Sequence, residues 1–589
     1  MRWNTHAITA AAKALFSPVA CAALALASLG SAAEPASAAT VYVNASLATG
    51  ADNGTSWADA YRTVDGVARA LNAAAAGDSI WVAAGTYKPT TTATRTIYHN
   101  LRSGIAVYGG FTGTESSLAQ RNPATNTTTL SGDLAGNDPA TITDNSFHVV
   151  NGNGADATGV LDGFTVTGGN SNGAAASDTD RGGGLIFLNG SNATIRNCRI
   201  VGNRVSFGGG GTYIRNASPT FVDCTWESNL GASFGGAIDM FTTCNPTFTR
   251  CAFIGNSANR AGGVEVFGSC QPVFTNCIFR NNSAGSASGG GLFVASSSTV
   301  TLRHTTIARN TSTATTGGAV LSSGSLVRYF NCIVYSNTAS GGSTVTQLAG
   351  ATHQPTYSCI QGGFAGTGNI TSAPNFANEA AGNLRLTLGS PCIDASQNSE
   401  SGAGNTVDFD LLPRFLDDPS VADTGVGPAP IADMGAFEFN PCPVPLSIAT
   451  PPSSAVSCLT RTVSFTVVAA GSGPYTYKWR KGGIDINTGS NPSAATATLT
   501  LSNITAADAG SYDVIVSNLC SSQPAGPVSL SLLPDFNADG SVNTADLTLM
   551  LGNFGSSGVG FAGGDANQDS TVNTADLTNL LGEFGTACP

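Results

Sequence analysis

Between residues 198 and 337 one short pattern returns six times and ends each time in asparagine: Asn203, Asn229, Asn256, Asn282, Asn310 and Asn337. The steps are 26, 27, 26, 28 and 27 residues. Five residues before each asparagine stands Cys198, Cys224, Cys251, Cys277, Thr305 or Cys332. Each copy also carries a glycine pair, ending at Gly184, Gly211, Gly236, Gly263, Gly291 or Gly318. A unit this short cannot bury its own apolar face, so the copies must stack. The repeats are rich in β-branched and aromatic residues and have no 3.6-residue apolar period, which fits one coil of a parallel β-helix. Leucine-rich repeats have a similar period, but their Leu-x-x-Leu-x-Leu signature is absent.

Apolar residues fall at the cysteine position, two after it, and three before it at Ile195, Phe221, Phe248, Phe274, Leu302 and Tyr329. Strand alternation cannot put positions three apart on one face, so the phase must slip between them. The residue just before the cysteine position is Asn197, Asp223, Arg250, Asn276, His304 or Asn331. Asn, Asp and His tolerate left-handed backbone best among non-glycine residues, which predicts a one-residue bend here. Stacking then places like residues about 4.8 Å apart, in ladders of Cys, Phe and Asn. His304 is thus a turn residue rather than a catalytic base. The inward cysteines, continuing to Cys359, are small buried hydrophobes rather than metal ligands, since no Cys-x-x-Cys or His set accompanies them. Cys244 and Cys270 lie outside the ladder, 26 residues apart in similar contexts, and are predicted to bridge adjacent coils as a disulfide.

Charged residues are only 11% of the 589, which excludes a charge-rich coiled coil, and the lack of charge blocks argues against disorder. A net charge of −12 argues against nucleic acid as a partner. Residues 1–39 carry Arg2 and Lys13, then a short Ala/Leu run and small residues, the pattern of a secretory signal. No later segment has the ~20 apolar residues of a membrane span. The mature chain is therefore expected outside the cytoplasm, secreted or attached to a cell surface. Loss of Cys21 with the signal leaves thirteen cysteines, which cannot all pair within one chain.

A repeat stack needs caps. Residues 56–76 are predicted as an amphipathic helix leading into the strand 79–83, an N-terminal cap. At the other end, residues 394–438 hold nine carboxylates against Arg414 alone, either a calcium-stabilised end segment or a solvated acidic loop. Gly235-Gly-Ala-Ile238 and Gly317-Gly-Ala-Val320, with Phe253-x-x-Asn256 and Phe279-x-x-Asn282, resemble the repeats of polymorphic outer membrane proteins. Tyr42-Val-Asn, Asn53-Gly-Thr-Ser-Trp57 and Tyr108-Gly-Gly-Phe111 resemble secreted right-handed β-helix proteins of the pectin-lyase-like superfamily. Ser390-Pro-Cys-Ile-Asp394 through Asp433-Met-Gly-Ala-Phe-Glu438 is similar to the choice-of-anchor Q segment. Over residues 40–440 these resemblances imply a right-handed parallel β-helix and a surface location.

Residues 441–452 contain five prolines and mark a linker. In residues 453–533, the alternating Val463–Val467, Trp479, the strand Thr498–Leu501 and Asp508-Ala-Gly-Ser-Tyr512 suit an Ig sandwich with its tyrosine corner. The usual core cysteine positions, near Val467 and Val514, are apolar, as in bacterial Ig-like modules. Cys458 and Cys520 flank the strands and are expected to pair.

Residues 534–589 contain two segments thirty residues apart. Asp535, Asn537, Asp539, Ser541, Asn543 and Asp546 match Asp565, Asn567, Asp569, Thr571, Asn573 and Asp576. Oxygen donors at loop positions 1, 3, 5, 9 and 12, with the carbonyl at 7, suit a hard cation such as Ca²⁺. Each loop precedes a leucine-bearing helical stretch. The duplication resembles dockerin type I, which implies Ca²⁺-dependent binding of a cohesin-like module through helix positions matching Thr544, Ala545, Thr574 and Ala575. Ser570 departs from the family by replacing the turn glycine, and Gly552 and Gly582 stand where bulkier contact residues are common.

The fold class is thus all-β and multidomain: a right-handed parallel β-helix, an Ig-like β-sandwich and a small helical dockerin-like calcium domain. A hydrolase would need two carboxylates facing one groove. The acids of the repeats are sparse, and Asp239 and Glu265 lie three and two residues after their glycine pairs, which predicts opposite faces. The expected function is a non-catalytic adhesin, matrix component or carbohydrate binder tethered by its tail. The alternative is a polysaccharide lyase or glycoside hydrolase.

Overall fold

The computed structural model describes residues 38–285, 289–313, 317–340 and 347–589; all but two residues of the expected signal, residues 1–39, lie outside them. Residues 40–360 wind as a parallel β-solenoid of about ten turns, with ten strands in one of its sheets and six in another. One coil shows the plan. Thr212–Arg215 and Thr220–Val222 lie in the largest sheet, Thr225–Glu227 in the ten-stranded second sheet and Leu230–Gly231 in the short third sheet. Each pairs in parallel with the equivalent strand one coil on, so that Phe221 meets Phe248 and Trp226 meets Phe253.

The bend before each cysteine is present. Asn197, Asp223, Arg250, Asn276, His304 and Asn331 all have left-handed φ between 43° and 59°. This single reversal brings Phe221 and Cys224, three residues apart, into the same core. Phe221, Phe248 and Phe274 stack at 5.0 and 4.6 Å between ring centres. The ladder thiols are buried, and burial pushes Cys198, Cys224 and Cys251 well above the ordinary thiol range. They are inert apolar filler.

The asparagines form one continuous hydrogen-bonded column. Each side-chain Nδ2 donates to the next Oδ1, at 3.1, 2.9, 3.0, 2.8 and 2.8 Å from Asn203 to Asn337. The column ends on Gln347 Oε1 at 2.8 Å. Each Nδ2 also donates to a carbonyl of the preceding coil, as from Asn256 to Trp226 at 3.0 Å. Every member is buried and paired, the condition under which a polar column strengthens a core.

At the ends, the extent of the N-terminal helix and the solvated-loop alternative for the acidic segment are corrected. The N-terminal helix spans only Gly66–Ala73, here α1. Trp57 is held outside it by an Nε1–H bond to the Glu115 carbonyl, 2.8 Å, and by packing on Tyr42 and Phe111. Arg102 donates to the carbonyls of Leu71 and Ala74 at the end of α1, at 2.6 and 2.9 Å. The acidic segment runs back along the flank of the second sheet. Leu384, Ala436 and Phe437 pack on Ala252, Ile278 and Ala308. The bend residues supply its polar seam: Asn276 donates to the Val407 carbonyl at 2.7 Å, Asn331 to that of Gln397 at 3.0 Å, and His304 Nε2 lies 2.8 Å from Ser401 Oγ. Arg414 and Glu438 form an ion pair at 2.7 Å with neither side chain exposed. His304 is buried in this seam and held neutral by burial and the nearby Arg414, in keeping with a structural role.

The Ig sandwich begins inside the predicted linker, where Ser447–Thr450 pairs with Val468–Ala470. Trp479 and Val514 fill its core, and the Tyr512 hydroxyl donates to the Asp508 carbonyl at 2.6 Å as the tyrosine corner. The predicted Cys458–Cys520 bridge is replaced by two others, Cys442–Cys520 and Cys458–Cys588. Cys458 follows the strand that pairs with Leu530–Leu532, whereas Cys520 sits in the turn joining Ser517 to Ser522. They lie at opposite ends of an 11-residue strand, roughly 30 Å apart at about 3.3 Å per residue and far beyond a disulfide's reach of about 7 Å. The predicted Cys244–Cys270 bridge is also absent: both thiols are free and buried, and the Cys244 amide donates to Cys270 Sγ at 3.1 Å. In-register coils aim both side chains inward side by side, not at each other. Among the described residues nine cysteines are free and buried, so pairing of all of them is not required.

Candidate metal centres

The tail carries two helices, α2 (Thr544–Gly552) and α3 (Thr574–Gly582), each opened by a capping box. Asn543 Oδ1 accepts from the Ala545 amide at 2.7 Å and Asn573 Oδ1 from that of Ala575 at 2.8 Å. In return, Asp546 and Asp576 accept from the Asn543 and Asn573 amides, at 3.0 and 2.9 Å. Met550 and Leu580 pack with Val542, Val572, Phe536 and Phe561 in a core shared with Cys458 and Leu533 at the end of the sandwich.

Ahead of each helix the chain gathers three carboxylates. One oxygen from each of Asp535, Asp539 and Asp546 lies within 4.8 Å of the others, and Asp565, Asp569 and Asp576 repeat the arrangement. The outer members, Asp535, Asp546, Asp565 and Asp576, are buried. Backbone amides orient them, as where Asp539 and Gly540 donate to the two oxygens of Asp535 at 3.1 and 3.0 Å. Burial pushes Asp535 up, while hydrogen bonds from Asn537 and Asn543 hold Asp539 down. Residues 535–589 hold seven carboxylates and no Lys or Arg. The donor set fits a hard divalent cation, which these triads would hold with the carbonyls of Ser541 and Thr571 and the exposed side chains of Asn537 and Asn567.

Asn543 and Asn573, predicted as ligands, also serve as the N-caps of the two helices. Their Oδ1 atoms accept the capping bonds, which leaves each a second lone pair, and their side-chain nitrogens face the loops, toward Asp539 at 3.2 Å and Thr571 Oγ1 at 3.0 Å. The same Asn-x-x-Asp spacing encodes a capping box, a signal present in the sequence and passed over. Thr544, Ala545, Thr574 and Ala575 are exposed, beside Leu551, Phe554, Leu581 and Phe584, which are 44–55% exposed and again thirty residues apart.

The solenoid holds a second cluster. Asp239 and Glu265 are register partners on one face, contrary to the prediction. The left-handed corner residue is Gly235 in one coil and Ala261 in the next, so the glycine pair slides by one residue while the strands stay aligned. Glu265 is paired with Arg260, and Arg181 donates to the Tyr213 hydroxyl at 2.8 Å beside them. Phe234 lies under Arg260 and Phe207 under Arg181. Burial and the neighbouring Glu265 push Asp239 well above the usual carboxylate range. A separate cavity of about 780 Å³ is lined by Arg121, Asn197, Arg199 and Asp223 among others; its one carboxylate is bound to Arg250 at 2.6 Å.

Residues 78–258, 132–302 and 183–354 match the family model of the right-handed β-helix region, and residues 446–518 that of the immunoglobulin domain. The chain carries a right-handed β-helix region and an Ig-like domain. No curated protein matches it. Among solved structures it is similar to tandem Ig repeats of Dlar (22% identity, 15% of this chain and 47% of that one, TM-score 0.14). It is similar also to extracellular domains 3-5 of Drosophila OTK (20%, 15% and 31%, 0.14) and to titin M4 (17%, 15% and 94%, 0.13). The chain spans less than half the length of the Dlar and OTK chains it matches. The β-helix region, the Ig-like domain and the two disulfides are consistent with an extracellular or surface protein. Among the described residues no helix is long and apolar enough to cross a membrane.

Proposed function

We propose that this is a secreted, non-catalytic β-helix protein, an adhesin or a matrix or carbohydrate binder, held at its site by a dockerin-like tail. The tail takes Ca²⁺ through Asp535, Asp539 and Asp546 and through Asp565, Asp569 and Asp576, and presents α2 and α3 to a cohesin-like module. The observation that carries this is the exact thirty-residue duplication of an acidic triad beside an exposed Thr-Ala pair and an exposed leucine and phenylalanine. A bound cation would join each loop to the helix that follows it, since Asp546 and Asp576 belong to both. Calorimetry on the full chain tests the tail: Ca²⁺ binding that falls by two sites in the Asp546→Ala, Asp576→Ala double variant supports the reading, and unchanged stoichiometry sinks it. Loss of cohesin-panel binding on chelation tests the partner.

Asp239 and Glu265 favour a second reading, a polysaccharide-degrading enzyme, because two adjacent carboxylates, of which Glu265 is ion-paired to Arg260, can divide acid and base roles. Against it, both are under 4% exposed, and the Arg260 paired to Glu265 is itself stacked on Phe234 and Phe293. Release of reducing ends or unsaturated products from acidic and neutral polysaccharides, abolished by Glu265→Gln, would establish the enzyme.

A further inference from the structure

The acidic segment contains a cation site of its own, away from the tail. Asp394 follows Cys392 and Ile393, which are anchored in the cluster around Ile333 and Met434. Its backbone is clamped on both sides: its amide donates to Asp433 Oδ1 at 2.8 Å, and its carbonyl accepts from the amides of Thr424 and Gly425 at 2.9 and 3.0 Å. Its carboxylate has no such support. The residue is 0% exposed, and neither carboxylate oxygen has a hydrogen-bond partner at ordinary geometry, the Asp418 amide being the one donor that acts on it.

An isolated buried carboxylate is costly unless paired or metal-bound. Here the surroundings make it worse, because the nearby charges that act on it are those of Asp417, Asp423 and Asp418. One oxygen from each of Asp394, Asp417 and Asp423 lies within 4.8 Å of the others. Three oxygens so placed share a point no more than about 2.8 Å from each, so a single ion there reaches its 2.3–2.6 Å Ca²⁺–oxygen distances with a shift of a few tenths of an ångström. Asp418 adds a second buried oxygen without a partner, Oδ2, while its Oδ1 accepts from the Ser420 amide and hydroxyl at 3.0 and 2.7 Å. The segment's one arginine, Arg414, is committed to Glu438 and to Asn276, at 2.7 and 2.9 Å. Asp433 and Asp408, also buried, are satisfied by backbone amides, those of Asp394 and Phe439 and those of Asp410, Leu412 and Glu438, and need no ion.

We infer that Asp394, Asp417 and Asp423 bind a hard divalent cation, Ca²⁺ in an extracellular setting, which pins the 415–427 excursion onto the flank of the β-helix. The chemistry is carboxylate ligation of a hard ion by one buried, pre-placed ligand and two exposed ones brought to it by the loop. Nothing in it depends on the tail.

The test uses the full chain carrying Asp546→Ala and Asp576→Ala, which removes the position-12 carboxylate of both tail loops. Calorimetry with Ca²⁺, and separately with Mg²⁺, is expected to show one remaining Ca²⁺ site. Adding Asp394→Asn or, should that variant fold poorly, the exposed Asp423→Asn is expected to weaken that site at least tenfold. Hydrogen exchange in residues 415–427 is expected to slow at least tenfold on adding Ca²⁺ to the double variant and to stay unchanged with Asp423→Asn. No Ca²⁺ binding by the double variant, or binding that survives both Asp394→Asn and Asp423→Asn, would overturn the inference. Failure of the tail reading is distinguishable, because wild type and double variant would then bind the same number of ions while the Asp423→Asn effect persisted.

Discussion

Asp239 and Glu265 stand side by side on adjacent coils, 3% and 1% exposed, with the Arg260 guanidinium paired to Glu265. A stack that repeats every 4.8 Å or so turns two acids at equivalent positions into a dyad.

The dyad sets a pH dependence. Burial first, and then Glu265, raise Asp239 well above its ordinary 3.8, so the folded chain holds this proton more tightly than the unfolded chain does. The contribution is therefore fully present below about pH 4 and is lost as pH rises toward the folded-state value. Asp239→Asn should raise stability by about 1–3 kcal/mol at pH 7.5. Unfolding midpoints of the two proteins should converge near pH 3. A variant less stable than wild type at pH 7.5 would show that the arginines outweigh burial.

The asparagine column should be intolerant of gaps. Asn256 accepts from Asn229 Nδ2 at 2.9 Å and donates to Asn282 Oδ1 at 3.0 Å, with no exposure. Asn256→Ala leaves buried polar groups unpaired on both sides, and guanidinium unfolding should report a loss of about 2–4 kcal/mol. A loss under about 0.5 kcal/mol, the range of ordinary surface changes, would refute the column's structural weight.

Peptide mapping without reductant should recover Cys442 linked to Cys520 and Cys458 linked to Cys588. Cys244 and Cys270 should alkylate once the chain is unfolded. The bridges close separations of 78 and 130 residues, for which the chain-entropy model gives about 4.5 and 5 kcal/mol. Serine variants of Cys442 and Cys458 should fall in unfolding midpoint accordingly, and recovery of a Cys458–Cys520 peptide would contradict the map.

The two tail loops should differ. Ser570 adopts φ 73° where its counterpart Gly540 sits at 96°, a region that strains a side chain. Ser570→Gly should relieve about 1 kcal/mol and tighten the second Ca²⁺ site roughly fivefold, and Gly540→Ser should weaken the first. Equal affinities in all three proteins would show that the turn residue carries no strain.

Much of the solenoid was legible before any coordinates. The bend at Asn197 through Asn331, the inward cysteines and the stacked phenylalanines follow from local backbone preference and from identity between copies. The acidic triads were legible for the same reason, as spacing within one loop. The dyad was not, because the glycine pair that marks each corner shifts by one residue between Gly235 and Ala261 while strand pairing does not.

By itself, then, the sequence determined the coil, its ladders and the two acidic loops, all of which depend on neighbours within about thirty residues or on copies of themselves. Only the tertiary structure decided that Asp239 meets Glu265, that Cys458 reaches Cys588 rather than Cys520, and that Asp394 is closed in with Asp417 and Asp423. These contacts depend on strand length, register and the route by which the chain folds back. Such distances are sums over many residues, and no short spacing in the sequence encodes them.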